Sequence, residues 1–338
     1  MSDIISNTTL LSEALSTYYD KVLLERLVPQ LRFYQFADKK PLPKHGGTTV
    51  KWTRFTDLGA GAALTEGTKP DSIQLSASNV SATIEQLGKL VRTTDVLEET
   101  AICDVVKESV TLLADSAAKT LDDLIQTRTC KLYTAAGNSC QVGMATGFDY
   151  FANMAGTWKL RIGGSAAANR IQISAMQKQA LAVSSIRKVV TELRKRNVLP
   201  FSDGYYVGIT HPAVADKLMA DAKWATWNQY TNPQAMYKGE IGKVQGVRFV
   251  ESANIDHHVS AVGSGSSLGD IYPTLIFGQH AYGTVETGLG TIKTYTVPST
   301  KGDKADPLQQ WSYIGYKITT AARILNESCG IIALTSEE

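Results

Sequence analysis

Three short stretches of this 338-residue sequence carry residue types that could do chemistry. The first is GKVQGV, residues 242–247. A phosphate-cradling loop needs glycines for close backbone approach, then a lysine and a Ser or Thr hydroxyl for phosphate and metal. Here Val244 follows Lys243, and Tyr237 stands five residues before Gly242. Gly88-Lys89 fails in the same way, because Leu90 follows it. Gly242 and Gly246, followed by VRFV, suit a turn leading into a strand. The second stretch, Gly265-Ser266-Ser267-Leu268-Gly269, matches G-x-S-x-G. A nucleophile elbow needs a strand before the serine and a helix after it. Ser267 instead lies in a Gly/Ser tract, residues 271–277 look like strand, and His280 follows with no clear acid between. A serine hydrolase is the reading this motif would carry, and its context argues against it. The third stretch is Asp256-His257-His258, with His280 downstream. Adjacent histidines on a strand point to opposite faces and converge poorly on a metal. An exposed loop is the better reading.

Other candidates dissolve similarly. Cys103, Cys130, Cys140 and Cys329 form no CxxC pair and read as buried thiols. Glu98-Glu99 and Asp122-Asp123 read as solvated helix faces and end charges rather than an acid/base dyad. Trp224 and Trp227, beside Tyr230, could stack on bases, but no basic field surrounds them, so core or subunit contact fits better. Net charge is +2, from 34 Lys+Arg against 32 Asp+Glu, far from the basic excess of a dedicated DNA binder. The N-terminal stretch has no basic n-region or long apolar h-region, and no segment is long and apolar enough to span a bilayer. The expectation is a soluble, non-secreted protein with no catalytic, cofactor or metal residue assigned.

The elements around these stretches say more. Leu11, Leu15, Tyr18, Tyr19, Val22 and Leu23 are spaced as on a helix that Pro29 ends. An extended arm through Phe33 and Phe36 follows. It is rich in large apolar residues with few local partners, and the expectation is that it packs on something else. Residues 48–55 and the return NVSATIEQL alternate as a long hairpin, with a glycine-rich tip between them. Between Gly88 and Gly137 there is neither glycine nor proline. Asp95 and Glu98 resemble a capping box. Ile102, Val106, Val110, Leu113, Ala117, Leu121 and Leu124 make one stripe on a helix of roughly 30 residues. Its opposite face would carry Glu99, Lys107, Glu108, Asp115 and Asp122. Ser174 and Gln177 mark the start of a second helix, with Ile186, Val189, Val190 and Leu193 as its stripe and Arg194, Lys195 and Arg196 at its C-terminal dipole. A strand at Tyr205–Ile209, a helix opened by Pro212 and closing strands from Ser312 to Leu334 complete an α+β pattern.

That order of elements resembles the major capsid protein of tailed bacteriophages, the Hong Kong 97-like fold. The stretch LERLVPQLRFYQFADKKPLPKHGGTTVKWTRF resembles coat proteins of one podovirus-rich branch, and LTEGTKPD with NVSATIEQLGKLVRTTD is the most specific part. IGKVQGVRFVESANI and SYIGYKITTAARILNESCGIIAL resemble the axial-domain turn and the closing strands. The resemblance implies an N-terminal arm over 1–45, an extended loop over 46–88 and a peripheral domain over 89–172 with a spine helix near 94–130. An axial domain over 173–300 and return strands over 301–338 would follow. It implies a virion shell protein, assembled in the bacterial cytoplasm into hexamers and pentamers around double-stranded DNA. A separate scaffolding protein, a portal and a decoration protein are the implied partners, with no cofactor. An encapsulin-like shell for protein cargo is the alternative. Candidate inter-subunit contacts are Phe33, Phe36, Trp52, Phe55, Glu66 and Lys69, the aromatics because such side chains dominate interface energetics; packing inside their own subunit is the other possibility. Lys44, Lys51 and Lys69 lie in the loop region, where some relatives cross-link Lys to Asn, and no such chemistry is assigned to them. Removal of residues 1–40 is expected to leave a folded, assembly-defective subunit.

Overall fold

The computed structural model describes residues 31–42, 47–55, 72–101, 105–130, 132–135, 139–142, 148–154, 157–161, 170–172, 180–221, 223–224, 240–257, 270–286, 292–297 and 310–336, with isolated positions 23, 27, 58, 61, 63, 67, 69 and 308. In chain order, β1 (Asp38–Lys40) is followed by a hairpin of β2 (Thr49–Phe55) and β3 (Ala77–Thr83). Next come the long β4 (Glu85–Thr94), the short helix α1 (Asp95–Thr100) and the 25-residue helix α2 (Val105–Thr129). β5 (Leu132–Ala135), β6 (Ser139–Val142) and β9 (Arg170–Gln172) form a small sheet. β7 (Asp149–Met154) and β8 (Thr157–Arg161) lie between β6 and β9 in sequence but join a seven-stranded sheet. The chain continues through α3 (Val183–Lys195), β10 (Tyr206–Thr210), α4 (Pro212–Ala220), β11 (Glu240–Val244), β12 (Val247–Glu251) and β13 (Ile271–Phe277). β14 (Tyr282–Val285), β15 (Ile292–Val297), β16 (Trp311–Thr320), β17 (Ala322–Ile324) and β18 (Gly330–Ser336) close it.

The seven-stranded sheet runs β11-β12-β10-β13-β18-β7-β8. β10, β13 and β18 are buried along their whole length, as their near-continuous apolar sequences require. α3 turns Ile186, Val189, Val190 and Leu193 into this core, the stripe expected from sequence. Ser174 and Gln177 lie outside the described residues; the described helix opens at Val183 after Ala182, which makes no side-chain cap bond. α4 opens with Pro212 in its first turn, and His211 Nδ1 accepts from Ala213 N at 3.2 Å.

A second layer packs α2 on the antiparallel sheet β15-β16-β4. Ile314, Tyr316 and Ile318 face the helix and are buried, while Ala321 separates β16 from β17. Thr93 and Ser312 hydroxyls bond at 2.5 Å within this layer. Arg128 donates to Glu85 at 2.5 Å where β4 starts, and Asp95 N bonds Gln310 O at 3.0 Å where it ends.

Three expectations need correction. The roughly 30-residue helix is two helices, because Ala101 takes an extended conformation (φ −70°, ψ 136°) at the end of α1. The β-branched Thr100 turns its hydroxyl back onto Val96 O at 2.6 Å there. The cap also differs, since Thr94 is the N-cap and Asp95 Oδ1 accepts from Val96 N at 2.7 Å. Second, Asp122 is not on a solvated face; it is 1% exposed. α2 buries two stripes, one on the sheet and a second with Ala118, Asp122, Ile125, Gln126 and Thr129. Third, the arm finds its partners at home. Leu23, Leu27, Leu31 and Phe33 are fully buried in the main core, and β1 pairs in parallel with β14. Asp122 Oδ2 accepts from Arg32 N at 2.8 Å, and Tyr282 Oη donates to Phe33 O at 2.6 Å. Residues 1–40 therefore cannot be removed without opening the core.

Candidate assembly surfaces

Among the described residues, the hairpin packs on the body of the subunit at its base. Val50 and Ala82 pair across it and pack on Val285 and Ala321. Trp52 lies over Gly283, where an added Cβ would sit 2.8 Å from the indole Nε1, so only glycine admits the ring. That Nε1 is buried without a hydrogen-bond partner. Arg54 still lines a cleft with Leu325 and Ser328, and beyond it apolar side chains face water. Phe55 is 60% exposed, Ile73 70%, Leu75 59%, and Leu58 is half exposed. A two-stranded ribbon is marginal alone in water, and exposed apolar residues in a row mark an interaction surface.

The contact candidates divide accordingly. Phe33 has no exposed surface to offer a neighbour. Phe36 is half-buried, meeting Phe201 and Phe277 edge-on at 5.9 and 6.2 Å, with the Arg248 guanidinium 5.6 Å over its ring. Trp52 is half-buried against the hairpin base. Phe55 and Lys69 are exposed, and Glu66 lies outside the described residues.

A second surface escaped the sequence reading. On β15-β16-β4 the face away from α2 carries exposed Leu90, Tyr295 and Val297. Cross-strand rows align Tyr295 with Gly315 and Leu90, and Val297 with Tyr313 and Arg92. Gly315 lets Leu90 lie flat, since an added Cβ would meet Leu90 Cδ1 at 2.9 Å. The Arg92 guanidinium stands 4.6 Å over the Trp311 ring. The alternation of these residues with inward Thr294, Ile314 and Val91 was the available signal.

The chemical candidates have structural roles. Gln245 (φ 52°) and Gly246 (φ 85°) form a two-residue turn between paired Val244 and Val247, the positive-φ geometry of a tight hairpin. His211, His257 and Tyr272 form a three-ring cluster, with Tyr272 4.8 Å from His211 and 4.9 Å from His257 and the two imidazoles 5.6 Å apart. His280 Nδ1 bonds Asp38 Oδ2 at 2.6 Å. Ser267, His258, Trp227 and Tyr230 lie outside the described residues, whereas Trp224 is buried against Phe249. Burial pushes the Cys130 thiol up to about 12 and raises that of Cys329. Burial also lifts the Asp122 carboxyl to about 6, against the opposing pull of the Arg32, Tyr34 and Phe33 amides and the Arg32 charge. Gln126, its amide oriented to satisfy both ends, donates to Asn254 O and accepts from Asp256 N. These groups tie α2 to the arm and to the 252–257 loop.

The sequence profile of a family described as phage capsid protein matches residues 35–304. No curated protein sequence matches the chain. Among solved structures, the capsid of Ralstonia phage GP4 is similar over 87% of this chain and 84% of its own, at 12% identity and a TM-score of 0.60. The head of Helicobacter pylori bacteriophage KHP40 is similar over 86% of each chain, at 12% identity and a TM-score of 0.59. The capsid of cyanophage P-SCSP1u covers 90% of this chain and 87% of its own, at 16% identity and a TM-score of 0.56. These likenesses establish an α+β phage capsid fold.

Proposed function

The chain belongs to the phage capsid protein family, and from that premise we propose how it works. It is a major capsid protein, a structural protein that forms the head shell of the virion. Copies gather into hexamers and pentamers and close an icosahedral shell of Hong Kong 97-like subunits around double-stranded DNA. Residues 1–45 serve as the arm and 46–88 as the extended loop. The peripheral domain, 89–172, holds α2 as its spine; the axial domain is 173–300, and 301–338 are return strands. A scaffolding protein, a portal and a decoration protein act beside it, and assembly takes place in the host cytoplasm. The net charge of +2 suits a container that holds DNA without gripping its sequence.

One observation carries this reading: apolar surface that the subunit does not cover itself. Phe55 at the end of β2, and Leu58, Ile73 and Leu75 in the segment between β2 and β3, are each more than half exposed. Burying each under a neighbour gains about 1–2 kcal/mol. Association costs several kcal/mol in lost freedom, so one such contact is weak and a closed set of them is stable. Negative-stain electron microscopy of the purified protein, with and without its scaffolding partner, tests the proposal. Rings, sheets or shells are expected. A monodisperse monomer at high concentration under both conditions would overturn it.

A further inference from the structure

Two surfaces at opposite ends of the β4 ribbon complement each other in charge and in apolar character. One is a pair of adjoining cavities of about 730 and 340 Å³ beneath the hairpin base, beside the Leu325–Cys329 turn. Arg54, Arg128, Arg196, Arg323 and Lys40 line them. Arg128 is held by Glu85 and Arg196 by Asp149, at 2.5 and 2.6 Å, and Lys40 Nζ is engaged by Lys51 O. Arg54 and Arg323 are exposed and meet no carboxylate among the described residues. Of the lining acids, Asp38 is bonded to His280, which leaves Glu327. The cavities are therefore net cationic. Their walls are also greasy, with Leu199 65% exposed beside Val80 and Leu325.

The other surface is α1, whose sequence DVLEET holds three carboxylates and no base. Val96 is 63% exposed and Leu97 46%. Glu99 is exposed as well, and a helix that shows both apolar and acidic side chains to water is unfinished. It follows directly on Thr94, whereas the cavities adjoin Glu85 at the start of β4. Ten residues of strand separate them by about 30 Å, so the two cannot meet within one chain.

We propose that α1 of one copy docks in the cationic cavities of the next. Glu99 meets Arg54 and Arg323, with Glu98 adding to the negative charge of the segment, and Val96 and Leu97 cover Leu199 and Leu325. Unlike patches at opposite ends of one subunit make a head-to-tail contact, and repetition of such a contact closes a ring. The other cationic face, on α3 around Arg187, Lys188, Lys195 and Lys223, offers only Val183 as apolar cover and fits α1 less well. This contact rests on the reading of the chain as a shell subunit and names which surfaces join neighbours in it.

Charge exchange tests it. Arg54→Glu with Arg323→Glu makes one variant, and Glu98→Lys with Glu99→Lys makes the other; Asp95 stays, since it caps Val96 N. Each should unfold at the parent temperature yet need a concentration about tenfold higher or more to assemble, because like charges now face each other. All four substitutions together should restore assembly to within about threefold of the parent. A 1:1 mixture of the two variants should form six-membered rings by alternation, since each reversed helix finds a reversed cavity, but not five-membered ones, where alternation fails. The contact is wrong if either folded variant assembles like the parent, or if the folded fourfold variant does not recover. Normal shells from every variant would remove this contact and leave the shell role intact, whereas a parent that never assembles would remove the shell role itself.

Discussion

Replacing Asp122 by asparagine should make the subunit more stable at neutral pH and change how its stability depends on pH. Asp122 is 1% exposed, and only its Oδ2 is bonded; Oδ1 has no partner. Its carboxyl rises from the ordinary 3.8 to about 6 because burial disfavours the charge. Below 3.8 the acid is protonated in the folded and unfolded chains alike. Between 3.8 and about 6 the folded chain keeps a proton that the unfolded chain has released, so stability falls as pH rises through that window. At roughly 1.4 kcal/mol per pH unit, the ionised acid costs the fold about 3 kcal/mol above the window. Asparagine carries no charge at any of these pH values and still accepts from Arg32 N, with about 1 kcal/mol lost from the weaker bond. Asp122→Asn should therefore exceed the parent by about 1–3 kcal/mol near pH 8, and the gain should vanish near pH 4. Urea denaturation of unassembled subunits, followed by tryptophan fluorescence across this range, reads the difference. A difference that does not vary with pH, or a variant weaker throughout, would refute the buried-charge reasoning.

Other outcomes follow from the same packing. Phe33→Ala should cost about 3–5 kcal/mol, since the ring is fully buried, and denaturation midpoints would show it. Deletion of residues 1–40 should give insoluble or unfolded chain by circular dichroism, because it removes Leu31, Phe33 and Tyr34 from the core along with β1. Gly283→Ala should destabilise the hairpin base by about 1–3 kcal/mol, as the new methyl meets the Trp52 ring; faster proteolysis within residues 47–83 is the readout. Ile73→Asp with Leu75→Asp should leave the thermal midpoint unchanged while sedimentation shows assembly lost, because both side chains face water in the single subunit.

Much of the fold was legible because local patterns and tertiary burial agree. The Val110, Leu113, Ala117 and Leu121 stripe, the alternation of Ile314, Tyr316 and Ile318, and the turn at Gln245-Gly246 all appear where their periods placed them. Asp122 was misread because a period of 3.6 marks the apolar face and says nothing about a second partner behind it. There the arm offers backbone amides, and a carboxylate is the side chain that satisfies them. The arm itself looked unpartnered because its neighbours, Tyr282 and α2, are distant in sequence. Alternation marks the outward face of each strand, but the row across Leu90, Gly315 and Tyr295 depends on strand register, which brings Leu90 to Gly315 from more than 200 residues away. The contact candidates divided for the same reason, with Phe33 drawn inward by the arm and Phe55 left outside on the ribbon.

Cryo-electron microscopy of the assembled particle tests most directly whether copies of this chain cover one another's apolar surface. The expected map has the β2–β3 ribbon lying on a neighbouring subunit, with Phe55, Ile73 and Leu75 buried beneath it. Particles in which those side chains still face solvent, with the ribbon touching no other copy, would contradict the claim.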